Sequence, residues 1–177
     1  MTVMVALLRG VNVGGKNKLA MADLRSIAEA CGFEQVRTYI QSGNLVCASV
    51  ETSTEIVAEQ LRRAIAARTD VRPNVIVRTR DEIAAVVERN PFAKKDPAHL
   101  HVVFIGGSDE ASLGSVDTAP YAPEEVAAVG QHLYLYLPSG IGRSKLAADL
   151  ARKSGSNTTT RNWRTVTKLL ELADGSD

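Results

Sequence analysis

The sequence predicts an α+β chain of two ferredoxin-like (α-β plait) lobes with an added C-terminal helix. Three observations predict it. Apolar runs of strand length alternate with stretches of helical periodicity. Over residues 1–78 they follow the order β-α-β-β-α-β, the split βαβ arrangement. Over residues 79–177 the order is α-β-α-β-β-α-α, which resembles a second plait. No strict sequence repeat links the halves, so duplication is inferred from architecture alone. The length of 177 residues suits two small lobes.

The first lobe opens with TVMVALL at residues 2–8, an apolar run of a buried strand. It leads into RGVNVGGKNK, a loop rich in glycine and asparagine. Leu24, Ile27, Ala28 and Cys31 recur at helical spacing over residues 21–31, and Gly32 ends that helix. Residues 36–40 and 45–48 read as strands joined by a tight QSGN turn. Ile56, Val57, Leu61, Ala64 and Ile65 line one face of a helix over residues 54–68. A strand at residues 74–77 completes the lobe. In a split βαβ the first strand is central, so residues 2–8 are expected to pair with both 36–40 and 74–77.

The second lobe begins with a helix over residues 80–89, marked by Ile83, Val86 and Val87. A buried strand follows at 100–105, then a weak helix or turn at 110–116. Residues 126–129 and 133–137 form a hairpin around Gly130. Helices at 144–153 and 161–173 close the chain, separated by a flexible SGSNTTT. Trp163, Val166, Leu170 and Ala173 form the core-facing stripe of the last one. Prolines 91, 97, 120, 123 and 138 fit loops and strand ends.

Composition excludes several classes. Hydrophobic residues are 45% and charged residues 23%, which excludes disorder as the main state. No apolar run approaches the roughly 20 residues that span a bilayer. The opening MTVMVALLRG lacks a basic n-region, so a mature cytoplasmic protein with no membrane partner is expected. Cys31 and Cys47 lack CxxC spacing and suit buried free thiols. Net charge is +1, so bulk attraction to nucleic acid is not expected. The distribution is uneven: residues 140–177 carry 7 basic and 4 acidic side chains, residues 51–139 carry 9 and 13.

Three segments carry candidate anion chemistry. Gly10, four residues, Gly15 and Lys16 match the phosphate-loop spacing after a strand. Asn17 then stands where a magnesium-binding hydroxyl belongs, so a nucleotide triphosphatase is disfavoured. An anion-binding turn using Arg9, Asn12 and Lys16 competes with a plain surface loop. GIGRSKL places Arg143 and Lys145 around a helix start capped by Ser144. TTTRNW places Arg161 and Asn162 in the first turn of the last helix, a threonine capping it and Trp163 beside them. Ordinary capping with solvated charges is the competing reading for both. Trp163 as a base-stacking platform ranks behind a core role. The aromatic sheet motif of RNA-recognition plaits is absent from the sequence. His99, His101 and His132 lack partners at metal-ligand spacing, so no metal site is expected.

ALLRGVNVGGKNK (6–18), VRTYIQSGNLV (36–46), NPF (90–92), GRSKL (142–146) and TTRNW with TVTKLLEL (159–172) together resemble the bacterial domain of unknown function 1697 family. The resemblance runs from end to end. It implies a two-plait α+β fold and no established activity. Its signature residues here are Arg9, Asn12, Lys16, Gln41, Ser42, Asn44, Lys145, Arg161, Asn162, Trp163 and Lys168. Two departures are Ala20, where the family usually has proline, and Ala147-Ala148, where it usually has Thr-Asn.

Polar loop residues of this kind more often bind than pack. The expected function is binding of a phosphate-bearing or acidic ligand, a nucleotide or nucleic acid fragment, in a basic loop-lined cleft. The expected ligand residues are Arg9, Asn12, Lys16, Gln41, Ser42, Asn44, Arg143, Lys145, Arg161 and Asn162. The alternatives are an enzyme acting on a phosphorylated substrate and a protein-interaction module using a sheet edge. No catalytic residue is assigned, and no cofactor is expected.

Overall fold

The structure is a computed structural model that describes residues 1–107 and 116–175. It is a mixed α+β fold with two four-stranded antiparallel sheets and, among the described residues, five α-helices. The chain divides into two compact units. One comprises Met1–Ala84 and Leu169–Asp177, the other Ala85–Lys168. No helix among the described residues is long and apolar enough to cross a membrane.

In the first unit the order is β1 (Thr2–Leu8), α1 (Met21–Ala30), β2 (Glu34–Tyr39), β3 (Asn44–Ser49), α2 (Thr54–Arg68) and β4 (Val75–Thr79). The apolar run of β1 is central because both its faces are buried, Met4 to Leu8 all at 0% exposure. Met4, Ala6 and Leu8 join one core with Leu24 and Ile27 of α1 and Val57, Leu61 and Ile65 of α2. Gly32, at φ +86°, turns the chain out of α1 without a Cβ penalty. The strand order is β2-β3-β1-β4. This corrects one expectation: β1 pairs with β3 and β4, and the segment at 36–40 is an edge strand that reaches only β3. The hairpin offers two strands to β1. The one buried along its whole length, β3, takes the inner place. Edge strand β2 is half-exposed and irregular, with Gln35 at φ +50° and a register shift between Glu34 and Arg37.

The chain continues with α3 (Arg80–Glu88), β5 (Leu100–Ile105), β6 (Glu125–Val129), β7 (His132–Tyr136), α4 (Lys145–Lys153), β8 (Thr158–Asn162) and α5 (Trp163–Ala173). The expected weak helix or turn at 110–116 lies, apart from Val116, outside the described residues. Val103 and Ile105 of β5 form a core with Leu133 and Leu135 of β7 and Leu146 and Leu150 of α4. The second sheet has the order β6-β7-β5-β8. Strand β8 is a correction. Its threonines fall in what reads as a flexible linker and a helix start, yet they pair with β5 from Thr158↔Ile105 to Asn162↔His101. Branching at Cβ suits threonine to an extended chain once a partner strand is there. The last helix therefore starts at Trp163, not Arg161. Its buried stripe is Val166, Leu169 and Ala173, while Trp163 and Leu170 are half-buried.

The two sheets share one strand order and a set of matched hydrogen bonds, which the sequence did not display. At the end of β1, Leu8 N–H donates to Gly43 O (2.8 Å) and Arg9 N–H to Asn74 O (2.9 Å). At the end of β5, Ile105 N–H donates to Gln131 O (3.2 Å) and Gly106 N–H to Asn157 O (2.9 Å). Ser53 caps α2 through Ile56 N–H (3.3 Å), and Ser144 caps α4 through Ala147 N–H (2.9 Å). Strands β4 and β8 each carry a buried arginine in fourth place, Arg78 opposite Val5 and Arg161 opposite Val102. Each fifth residue caps the helix that follows at once: Thr79 Oγ1 accepts from Glu82 N–H (3.2 Å), and Asn162 Oδ1 from Thr165 N–H (2.8 Å).

Candidate functional site

The loop after β1 is the most distinctive surface of the first unit. Gly10, Asn12, Gly14, Gly15 and Asn17 all have positive φ. Left-handed residues next to ordinary ones are the backbone pattern of anion-binding concavities, although here Asn12 N–H is already bonded to Asn17 O (3.1 Å). The loop is held, not loose. Asn12 Nδ2 donates to Leu19 O (2.8 Å) and to Gln41 O (2.7 Å), while Asn12 Oδ1 accepts from Leu19 N–H (2.9 Å). Asn17 Nδ2 donates to Gly10 O (3.0 Å), and Lys16 N–H closes a turn onto Val13 O (3.0 Å). In the neighbouring turn, Asn44 is fully buried and donates to Tyr39 O and Ser42 Oγ, both at 3.0 Å.

These bonds sort the expected ligand residues of this unit. The Asn12 and Asn44 side chains fasten the loop and the turn, which accounts for both by structure. Lys16 and Gln41 are exposed, and Arg9 and Ser42 are half-buried. No acidic residue occurs from Arg9 to Ala20, so Arg9, Lys16 and Lys18 leave the loop uniformly cationic. The phosphate-loop spacing does not lead directly into a helix. Asn12 folds the segment back, and α1 begins only at Met21.

GRSKL follows the end of β7, whereas TTRNW makes up most of β8 and only its last residues reach the same end of the second sheet. The chain leaves β7 at Tyr136, opposite Leu100, and β8 ends at Asn162, opposite His101. Neither segment presents open donors in the way the sequence suggests. At the start of α4, Leu146 N–H donates to Glu124 Oε2 (3.1 Å) and Ala147 N–H to Ser144 Oγ (2.9 Å). The helix dipole has drawn in an anion, and that anion is the chain's own carboxylate. Arg143 and Lys145 remain exposed beside it. Arg161 lies in β8 and not in a helical turn. It is 8% exposed and donates to Thr159 Oγ1 (2.7 Å) and Thr160 O (3.0 Å). Burial pulls its pKa down to about 10. Asn162, not a threonine, caps α5.

Arg78 is the polar residue that sequence reasoning missed. It is 5% exposed and donates to Val77 O (3.0 Å). Burial lowers its pKa, opposed by Glu82 and Glu55. Its likeness to Arg161, VIVRT against TTTRN, becomes visible only once β8 is known to be a strand. Cys31 and Cys47 are free thiols, and burial pushes Cys47 up to about 12. Among the described residues no three His, Cys, Asp or Glu side chains gather as metal ligands.

His101 gives a pH prediction. It is 8% exposed, and burial holds its pKa below the ordinary 6.5. As pH falls below 6.5 the unfolded chain takes up this proton before the folded one does, so stability is lost. The urea midpoint is expected to drop between about pH 7.5 and about pH 5.5 in wild type, and to drop less in His101→Leu. Equal drops would assign the effect to other groups.

Comparison with known proteins adds a family and a fold. A family model described as "Protein of unknown function (DUF1697)" matches residues 1–134. The solved structure of conserved bacterial protein SP0830 from Streptococcus pneumoniae is similar, with a TM-score of 0.79 at 23% identity. The match covers 97% of this chain and 98% of that one. No curated protein matches.

Proposed function

The chain belongs to the DUF1697 family of proteins of unknown function, and we propose that it binds a phosphate-bearing ligand at the loop formed by residues 9–18. The molecule contains its own control for this reading. At the end of β5, Gly106 makes the backbone bond that Arg9 makes at the end of β1. A glycine therefore serves at that backbone position in the second sheet, so the sheet bond itself does not call for an arginine there. A rigid, uniformly positive loop of left-handed residues is what an anion site requires. The loop holds no histidine or carboxylate, which favours binding over acid-base catalysis.

Arg9, Lys16, Gln41 and Ser42 carry the reading. Arg143 and Lys145 belong to a second, weaker candidate, because Glu124 already serves the α4 amides. The identical strand orders of the two sheets support reading both as ferredoxin-like plaits. On that reading the plaits are divided near Thr79, where β4 runs straight into α3, a few residues before the compact units part between Ala84 and Ala85. Two free thiols accord with a cytoplasmic setting.

Calorimetric titration with pyrophosphate at low salt tests the site. Lys16→Ala and Arg9→Ala are each expected to weaken binding about tenfold, the worth of one charge-assisted hydrogen bond. Lys145→Ala is expected to leave it unchanged. Absence of binding by wild type would remove the reading.

A further inference from the structure

The turn that Asn12 grips holds a second, independent feature. Ile40 has φ +49° and is 50% exposed. A β-branched residue in the left-handed region is a steric outlier. Half exposure returns little hydrophobic stabilisation for that cost. Asparagine or glycine would relieve the strain, so folding does not account for isoleucine here. Strain of this kind gathers where a side chain meets a ligand. Val13, 63% exposed, is one residue from Asn12, whose Nδ2 reaches Gln41 O at 2.7 Å. Exposed aliphatic side chains thus stand one residue from either end of that hydrogen bond, in the segments that carry Lys16 and Ser42.

We propose that Ile40 and Val13 receive the base of a nucleotide whose phosphate is held by Arg9 and Lys16. This rests on the anion reading of the same loop and names its ligand class. Small-molecule sites pair apolar walls with a few placed polar groups. Every nucleobase offers a flat apolar face beside a charged phosphate, and these two segments between them carry both exposed aliphatic and cationic side chains. The strain at Ile40 is then retained for contact and not for stability.

The test compares AMP, ribose 5-phosphate and butyl phosphate as probes on wild type, Ile40→Asn and Val13→Ser at low salt. Wild type is expected to bind AMP about tenfold more tightly than ribose 5-phosphate, the worth of one buried aliphatic contact. Ile40→Asn should lose that advantage, keep its affinity for ribose 5-phosphate and unfold at higher urea. Such a variant, more stable yet weaker for AMP alone, separates contact from misfolding. Val13→Ser should also lose the AMP advantage, with no gain in stability. Equal wild-type affinities for AMP and ribose 5-phosphate, or an unchanged AMP preference in both variants, would overturn the inference. Butyl phosphate binding as tightly as AMP would overturn the nucleotide and leave an aliphatic phosphate. Failure of all three probes on wild type would instead remove the anion reading beneath it.

Discussion

Gly43→Ala is expected to destabilise the protein by roughly 2–5 kcal/mol, the combined size of left-handed strain and local overpacking. Gly43 has φ +81°, and a Cβ built there would stand 2.7 Å from Leu8 Cβ. Neither atom can yield by rotating a side chain, because both are fixed to backbone. Leu8 is itself pinned, its N–H bonded to Gly43 O at 2.8 Å and its side chain fully buried. Relief would have to separate the 40–43 turn from the end of β1, and with it the turn that Asn12 grips. Gly130→Ala is the matched control. Gly130 has φ +58° but open space around it, so only the conformational term of about 1 kcal/mol remains. Urea unfolding of the two variants reads the difference directly. A loss at Gly43 no larger than at Gly130 would show that the β1–turn contact yields at no cost.

Leu169→Ala is expected to cost about 2–5 kcal/mol, the range for deleting a fully buried leucine. Leu170→Ala, one residue on, should cost about 1 kcal/mol or less, because its side chain is only half-buried. The contrast tests where α5 begins. A helix that started at Arg161 with Leu170 on its core face would reverse the order. Val166, Leu169 and Ala173 have exposures of 1%, 1% and 9%, and they define the face that the structure buries. Equal losses at Leu169 and Leu170 would mean that the helix is buried all round.

The contrast between β8 and β3 shows where sequence reasoning stops. LVCAS is apolar enough to be read as a strand without knowing its partner. TTTRN is not. Threonine beside serine, glycine and asparagine has the composition of a loop, and its extended form is fixed by pairing with β5. The same pairing takes Arg161 out of a helical turn and buries it. In the candidate site, Arg9 and Lys16 were legible as loop cations. Asn12 and Asn44 were legible as polar loop residues, but their hydrogen bonds to the chain could not be. Glu124 is a case of the same kind. It is 22 residues from Leu146, whose N–H it accepts, so sequence spacing gave no reason to connect them.

The sequence by itself determined the element types wherever apolar periodicity was strong, and with them the α+β class. Strand β1, helices α1, α2 and α4 and the β6–β7 hairpin follow from hydrophobic pattern and turn chemistry, which are local and need no partner. It also determined that the chain's first loop is cationic. Tertiary structure alone decided that β3 and not β2 lies beside β1, that the threonines form β8, and that the two sheets share one strand order. It alone decided which polar residues are consumed by the fold. These outcomes depend on hydrogen bonds between residues far apart in the chain. A backbone amide or an asparagine side chain has the same chemistry at every position, and only the partner brought to it decides whether it fastens the structure or faces a ligand.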